Sequence, residues 1–311
     1  MNNGKADRNR QEVLIDPLNA WGPAEPVCWK RKEGKKVLQE KIENGVHFLQ
    51  FPLLCHTEMV AHGFSTRLGG VSEGKYATMN FTFTRGDNPD HVMENYRRMA
   101  EALGVDKEQM VLSYQTHTVH VRRVTEEDAG KGIVRERDYR DVDGLITDVP
   151  GITLVTFYAD CVPLYFVDPV RKAVGLSHSG WRGTVKRMGK VTLDAMRDAF
   201  GTKPEDVLCC VGPSICQDCF EVGGEVAEEF KREFASVYWP QLFYEKENGK
   251  YQLDLWKANE IILEEAGVLK EHIQVTDICT HCNPEYLFSH RTFGNERGNL
   301  AAFLGIKKTA A

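Results

Sequence analysis

Three residues carry side chains that a transition-metal ion prefers, and each lies near the end of an apolar segment. His117 lies in YQTHTVHV, Cys161 in ADCVPL and His178 in SHSGWRG. Two imidazoles and one thiolate suit a borderline-soft ion such as zinc, which keeps a fourth position for water in catalytic sites. The separations of 44 and 17 residues are no signature by themselves. At this point a metal site, a cysteine nucleophile and ordinary packing stay open.

Asp160 directly precedes Cys161, between the apolar runs ITLVTFY and PLYFV. A carboxylate buried there without a partner would cost a few kcal/mol. We therefore expect Asp160 either to cap a turn or to belong to a site.

Two glycine-rich segments could bind an anion or cover a ligand. In HSGWRGT, Arg182 lies between two glycines just before a predicted helix, where backbone N–H groups attract phosphate. In HGFSTRLGGVS, a loop with a Gly-Gly hinge carries His62, Ser65 and Arg67. A plain strand-to-helix turn is the alternative for the first segment.

The chain has nine cysteines, and four of them form two CxxC pairs, Cys216–Cys219 and Cys279–Cys282. Two such pairs are typical of zinc ribbons, but the loop of about 60 residues between them far exceeds the usual 15–20. A zinc clip, a transient disulfide and incidental loop cysteines stay open. Cys209 and Cys210 lie in VLCCV and are predicted to pack in the core.

Hydrophobic periodicity predicts the elements that position these residues. Apolar positions three and four apart predict helices over 89–103, 184–199, 226–237 and 255–266. Short apolar runs predict eight strands, over 111–114, 119–124, 152–158, 163–167, 173–177, 207–211, 273–278 and 299–304. Clustered strands with few helices favour an α+β fold.

Composition limits the function classes. The 311 residues carry a net charge of −6 and show no basic face for nucleic acid. No apolar run is long enough to span a membrane, and the polar N-terminus is not a secretory signal. We expect a cytoplasmic monomer or homodimer with a small-molecule substrate, an N-terminal extension over residues 1–43 and one domain over 44–311.

Several segments, in this order, resemble the polyphenol oxidase/laccase-domain family, whose members are regarded as purine nucleoside phosphorylases. They are HGFSTRLGGVS, YQTHTVHV, VDGLITDVPGITL, ADCVPLYFVDP and VGLSHSGWRGT, followed by VGPSI, FSHR and Arg297. The segment CTHCNPEYLFSHRTFGNERGN departs from the family pattern. That departure concerns the local loop and leaves the metal ligands unaffected.

The resemblance implies a single-domain α/β sandwich with a mixed β-sheet, similar to the cysteine-hydrolase-like fold of deamidating toxins. It implies one zinc ion per chain, bound by His117, Cys161 and His178. It also implies phosphate-dependent cleavage of adenosine, inosine, guanosine and methylthioadenosine, and deamination of adenosine. The partners are therefore purine nucleosides and inorganic phosphate.

Within that scheme we expect the other candidates to have the following roles. Asp160 beside the metal is a candidate proton shuttle. Ser65, Arg67 and Arg182 are expected to bind phosphate, because the planar guanidinium matches its oxygens. His62 is a candidate acid for the leaving purine.

Three alternatives remain. The first is a metal-free cysteine hydrolase or deamidase with Cys161 as nucleophile and His178 as base. The second is a copper polyphenol oxidase, a laccase; it is less favoured because multicopper sites need about ten histidines and the chain has ten in all. The third is a non-enzymatic binding protein with a structural zinc.

Overall fold

The computed structural model describes residues 25–308. In this range the strands are β1 (Gln39–Glu43), β2 (Val46–Gln50), β3 (Val60–Ser65), β4 (Met110–Leu112), β5 (Val121–Arg123), β6 (Gly144–Thr147), β7 (Thr153–Tyr158), β8 (Val162–Asp168), β9 (Ala173–Ser179), β10 (Leu208–Val211), β11 (Glu221–Val222), β12 (Phe243–Glu245), β13 (Tyr251–Leu253), β14 (Ile273–Val275) and β15 (Leu300–Ile306). The α-helices are α1 (Pro52–Cys55), α2 (Pro89–Leu103), α3 (Trp181–Val185), α4 (Met188–Phe200), α5 (Gly224–Glu233), α6 (Trp239–Leu242), α7 (Leu255–Glu265) and α8 (His290–Phe293).

Two six-stranded mixed sheets form the centre of the fold. The first has the order β1-β2-β3-β15-β7-β4, and the second has the order β14-β10-β8-β9-β6-β5. Most neighbours are antiparallel, but β4 runs parallel to β7, β5 to β6 and β14 to β10. Strands β11, β13 and β12 make a small third sheet.

The two large sheets pack face to face between helices. Phe303 on β15 packs against helix α2, whereas its neighbour Leu304 faces the core between the sheets. The far face of the second sheet packs against α4, α5 and α7. The layers are therefore helix, sheet, sheet, helix, which confirms the mixed α/β class but with several mixed sheets instead of one. The expected likeness to deamidating toxins stays a prediction.

Helix α2 matches its predicted limits because both ends carry capping residues. The Asn88 side chain accepts a hydrogen bond from the backbone N–H of Asp90, and Gly104 ends the helix with a left-handed φ of 65°. The helix predicted over 184–199 is instead two helices. Arg187 has a φ of 58° between α3 and α4, where its guanidinium binds Glu233 and Glu265.

The prediction for the paired cysteines of β10 is confirmed. Cys209 and Cys210 are both fully buried. Because successive side chains of a strand point to opposite faces, Cys209 contributes to the core next to the helices and Cys210 to the core between the sheets.

Residues 25–43 pack onto the domain, so the expected boundary at residue 43 falls inside the hairpin of β1 and β2. Residues 1–24 of the expected extension lie outside the described part. Leu38 is fully buried, and the Arg31 guanidinium binds Asp277 at 2.5 Å. Over residues 25–308, no helix is long and apolar enough to cross a bilayer.

Candidate metal centre

The chain passes from the first sheet to the second in two connections, and both help to build one site. The β4–β5 connection carries His117, and the short β7–β8 connection carries Cys161. His178 lies on β9, opposite Pro163 of β8. One ligand atom from each of these three residues lies within 4.8 Å of the other two. The structure therefore brings together the predicted ligand set.

The Asp143 carboxylate, fully buried just before β6, organises this site. It accepts hydrogen bonds from the backbone N–H groups of Thr116, His117 and Thr118 at 2.9–3.1 Å. It also binds Nδ1 of His178 at 2.8 Å. Because Nδ1 is engaged, the Nε2 atom of His178 is left for the metal, as in carboxylate–histidine–zinc arrangements.

The Cys161 thiol lies next to two imidazoles, and this environment favours the thiolate. Burial alone would raise its pKa, but His178 and His117 lower the pKa to about 6. For His178 burial alone would lower the pKa, because it disfavours the charged imidazolium, but Cys161 and Asp143 raise the pKa to about 9. In the metal-free protein the two residues therefore form a thiolate–imidazolium pair. A thiolate is the form of cysteine that binds metals.

Gly180 keeps space open at the three ligands. A Cβ atom there would lie 3.1 Å from Sγ of Cys161, 3.3 Å from Cδ2 of His117 and 3.8 Å from Cε1 of His178. Any side chain would intrude on the space that an ion and its fourth ligand need. The soft donor set, the carboxylate behind His178 and this open space fit a zinc ion.

Two residues of the site have left-handed backbones. His117 has a φ of 66° and Asp160 a φ of 86°. Such non-glycine conformations cost roughly 1–3 kcal/mol each and need support from their surroundings. Asp143 supports the first through the hydrogen bonds already described. Asp160 is supported by the N–H of Ile215, which donates to its backbone carbonyl at 3.1 Å.

The Asp160 side chain lines the site but is engaged by another segment. Its Oδ1 accepts from the hydroxyl of Thr280 at 2.6 Å. Its Oδ2 accepts from the hydroxyl of Ser289 at 3.0 Å and from the N–H of Arg291 at 2.6 Å. Asp160 therefore holds residues 280–291 against the β7–β8 connection, as well as lying beside Cys161.

A cavity of about 660 Å³ opens over the three ligands, a size typical of small-molecule sites. Its aromatic lining includes Phe81, Phe83, Tyr114, Phe157, Trp181 and Phe220. Four arginines also line it, namely Arg85, Arg137, Arg291 and Arg297. Flat apolar walls and guanidinium groups suit a ligand with an aromatic ring and an anionic group.

The structure does not bring His62 to this cavity. His62 is 1% exposed on β3, and its Nε2 accepts a hydrogen bond from the N–H of Phe51 at 3.0 Å. Burial, with a smaller contribution from Lys307, lowers its pKa to about 3. The imidazole is thus enclosed, already accepts a hydrogen bond and lies away from the cavity where the expected acid would act.

Ser65 and Arg67 are also used elsewhere. The buried Ser65 hydroxyl accepts from the N–H of Ala301, between strands β3 and β15. The Arg67 guanidinium donates to the carbonyls of Ala77 and Pro284 and lies over the Phe288 ring. Neither residue lines the cavity, so the structure does not bring Ser65 and Arg67 to the three ligands as the expected phosphate site requires.

Arg182 is exposed at the rim. Its guanidinium stacks on the ring of Trp181, with 4.2 Å between the guanidinium carbon and the ring centroid. Trp181, not Arg182, lines the cavity.

Sequence reasoning missed the role of three residues. Asp143 lies in the segment VDGL, and its role becomes visible only in the structure, where it binds His178 and the backbone of His117. Arg85 follows the apolar run FTFT with no signal of its own. Arg297, named only as part of the resemblance, is 6% exposed, and its Nε has no hydrogen-bond partner among the described residues.

Comparisons with known proteins show which family the chain belongs to. The family model described as "Multi-copper polyphenol oxidoreductase laccase" matches residues 61–307, and the chain belongs to this family. The purine nucleoside phosphorylase YlmD of Bacillus subtilis is 33% identical over 255 residues, which are 81% of this chain and 90% of that protein.

Two further relatives and one solved structure extend this similarity. A purine nucleoside phosphorylase of Bacteroides thetaiotaomicron is 36% identical, covering 84% of this chain and 96% of its own. A protein named adenosine deaminase RL5, from an unknown prokaryote, is 36% identical over 78% of this chain and 92% of its own. The crystal structure of YlmD from Geobacillus stearothermophilus has a TM-score of 0.79 at 32% identity, over 88% of this chain and all of that one.

Replacing Asp143 by Asn is expected to weaken metal binding about 10–100-fold, because an amide cannot accept all the hydrogen bonds that the carboxylate accepts. Competition with a chelator measures the affinity. Asp168→Asn is the matched control, since Asp168 is equally buried but lies at the end of β8 that is remote from Cys161. Unchanged metal affinity in Asp143→Asn would contradict the organising role of this carboxylate.

In the metal-free protein, alkylation of Cys161 should rise with a midpoint near pH 6, because the lowered pKa keeps the thiolate above that pH. Cys55 is the internal control: its partly buried side chain has a pKa raised by burial, so its alkylation should rise only at alkaline pH. Peptide mass spectrometry at each pH separates the two. Added zinc should protect Cys161, and a midpoint no lower than that of Cys55 would refute this prediction.

Proposed function

We propose that this chain is a zinc-dependent purine nucleoside phosphorylase that also deaminates adenosine. The observation that carries the proposal is the convergence of His117, Cys161 and His178 on one point of a cavity lined by aromatic rings and guanidinium groups. Relatives that are 33–36% identical carry the names of both activities. We propose that adenosine, inosine, guanosine and methylthioadenosine are the substrates.

The three ligands would hold the ion, and this chain prepares each of them. Asp143 fixes the ring of His178 with Nδ1 towards the carboxylate, and it fixes the 116–118 backbone that presents His117. The neighbouring imidazoles favour the thiolate of Cys161. A bound zinc ion would supply a Lewis acid and an activated water for the deamination of adenosine to inosine and ammonia.

Phosphate is proposed to bind at Arg85 and Arg297. Burial chiefly, and the nearby positive charge of Arg85, lower the pKa of Arg297 to about 10. Two guanidinium groups close to one another repel, and an anion placed between them would relieve that repulsion. Arg137 and Arg291 donate to the carbonyls of Ser113 and Glu221. Nη1 of Arg297 donates to the Gly298 carbonyl and the Asn299 side chain, but its buried Nε has no hydrogen-bond partner among the described residues and is left for an anion.

Phosphorolysis then needs the nucleoside and the phosphate held in line. A phosphate oxygen forms a bond to C1′ while the bond from C1′ to the purine nitrogen breaks. The purine leaves with that electron pair and takes up one proton, and the sugar leaves as the 1-phosphate. Tyr114, Phe157 and Trp181 are proposed to stack on the base and exclude water.

Asp160 is proposed as a positioning residue. Three donors from residues 280–291 occupy its carboxylate, and that segment carries Arg291 on the cavity wall. This role replaces the expected proton shuttle, because the carboxylate oxygens are already committed to the segment.

A metal-free cysteine hydrolase is the second candidate, because Cys161, His178 and Asp143 have the relation of a thiol, base and orienting carboxylate. His117 argues for the metal, since a catalytic triad has no use for a second imidazole beside the thiol. Copper oxidation is less favoured. Within residues 25–308, each of the two groups of metal-binding side chains holds at most two histidines, too few for several copper ions.

The test pairs elemental analysis with an adenosine assay, with and without phosphate, that resolves adenine from inosine. The wild-type protein should release adenine only with phosphate and inosine in either case. His117→Ala and His178→Ala should lose zinc and more than about a hundredfold of both activities, because each removes a ligand. His120→Ala is the control for His117, since His120 lies in the same β4–β5 connection and its exposed ring pairs with Asp141.

Phosphorolysis that persists in metal-free His178→Ala would reject the shared site. Turnover of wild-type protein that holds no metal, abolished by alkylation of Cys161, would instead support the cysteine hydrolase.

The phosphate site gives a separate prediction. Arg85→Gln should raise the KM for phosphate roughly tenfold or more, because it removes a charged hydrogen-bond donor worth about 1.5–3 kcal/mol. Deamination measured without phosphate should stay unchanged. Arg123→Gln is the control, because Arg123 is an exposed arginine on β5 that pairs with Asp148. An unchanged phosphate KM would remove Arg85 from the site.

A further inference from the structure

The two CxxC pairs, far apart in sequence, come together in space. Cys216 and Cys219 follow strand β10, whereas Cys279 and Cys282 follow β14. These strands are parallel neighbours, with Val211 opposite Val275. Their carboxyl ends therefore meet at one edge of the second sheet, and the chain between them makes α5, α6, α7 and the small third sheet before it returns.

The four sulfur atoms are mutual neighbours. All of them lie within 4.8 Å of one another, and the Sγ atoms of Cys219 and Cys282 are 3.4 Å apart. Cys216 and Cys279 are buried, at 6% and 4% exposure, while Cys219 and Cys282 are partly exposed. One side of the cluster is thus enclosed by protein and the other is open to solvent, from which an ion can enter.

This arrangement fits one tetrahedral ion. Zinc–thiolate bonds of about 2.3 Å place the sulfurs of a tetrahedron about 3.8 Å apart, close to the spacing found here. Two disulfides would draw the sulfurs together in pairs at about 2.05 Å and leave the pairs separate. An iron–sulfur cluster holds its cysteines around several irons and sulfides, and so spreads them wider than a single ion does.

The backbone around the cluster also supports thiolates. The N–H of Cys216 donates to Sγ of Cys279 at 3.3 Å, and a donated hydrogen bond stabilises a negative sulfur. Residues 217–219 form a single 3₁₀ turn in which the N–H groups of Cys219 and Phe220 bind the Cys216 carbonyl. This tight turn brings both sulfurs of the first pair to the same side.

We propose that Cys216, Cys219, Cys279 and Cys282 bind a second, structural zinc ion. All four coordination positions are protein thiolates, so no position is left for water or substrate, unlike in the three-ligand site. The proposal does not depend on the phosphorylase function, because it concerns metal content and the stability of two loops.

The clip defined by these four cysteines fastens two segments that both contact Asp160, a residue of the cavity wall. The first segment carries Ile215, whose N–H binds the Asp160 carbonyl. The second carries Thr280, whose hydroxyl binds the Asp160 carboxylate and whose N–H binds the Ser214 carbonyl. Loss of the ion should therefore loosen the neighbourhood of Asp160 and raise the KM for the nucleoside more than it lowers kcat.

Metal counting tests the proposal. Wild-type protein loaded with zinc under reducing conditions should hold two ions per chain. Cys219→Ser and Cys282→Ser should each hold one ion, in the three-ligand site. His178→Ala should also hold one ion, in the four-cysteine cluster. The double variant Cys219→Ser, His178→Ala should hold none. Cys55→Ser is the control, a partly exposed cysteine outside the cluster, and it should still hold two.

Cobalt substitution gives a second readout, and its first measurement, on the intact protein, does not depend on the folding of any variant. Co²⁺ bound by four thiolates in a tetrahedron should give intense visible absorption, which should persist in His178→Ala and be lost in Cys219→Ser. An iron chromophore that zinc does not displace, or a mass deficit of two hydrogens per disulfide in protein kept reduced, would overturn the proposal. So would a zinc content in Cys219→Ser equal to that of the wild type.

A different pattern of zinc contents would show that only the three-ligand site, and not the four-cysteine cluster, fails to bind zinc. One ion in both wild type and His178→Ala, lost on Cys219→Ser, would support the clip while removing zinc from the proposed catalytic centre.

Discussion

The hydrogen bonds of the Asp143 carboxylate are the interaction on which the candidate centre depends. This carboxylate is buried, and hydrogen bonds from backbone N–H groups and an imidazole offset the free-energy cost of burying its charge. The same contacts set the backbone of His117 and the ring orientation of His178. One anion thus pre-positions two ligands that are 61 residues apart, and the buried imidazole keeps its orientation before any metal arrives.

The packing of two sheets explains why the ligands meet. A chain that crosses from one sheet to the other must turn at the edge, and two such crossings, β4–β5 and β7–β8, start from the neighbouring strands β4 and β7 of the first sheet. Cys161 ends one crossing and His117 lies in the other, while Gly180 follows β9 and leaves the space between them open. The same edge carries the carboxyl ends of β10 and β14. Both clusters of metal-binding side chains therefore use strand ends of the second sheet.

The eight predicted strands correspond to β4, β5, β7, β8, β9, β10, β14 and β15, because their apolar runs are locally visible in sequence, whereas β1, β2, β3, β6 and the small third sheet were not predicted. The three ligands were found through the family resemblance. Arg67 misled because its glycine-rich surroundings resemble a phosphate loop, whereas in the structure Phe288 and backbone carbonyls enclose its guanidinium. Arg85 reaches the cavity only through tertiary packing. The two CxxC pairs were visible in sequence, but whether they meet was left open, since nothing local indicates that β10 and β14 pair.

The segment before β1 has a consequence for where the folding unit begins. Asp277 is fully buried between β14 and Cys279, and its carboxylate binds the Arg31 guanidinium and the N–H groups of Val37 and Leu38. A chain shortened to the family-matched region, which starts at residue 61, would strip this carboxylate of all three donors and remove two strands. An unpaired buried charge beside the cysteine loop is a severe defect. The smallest stable protein therefore has to include residues before 61, which the family model does not match.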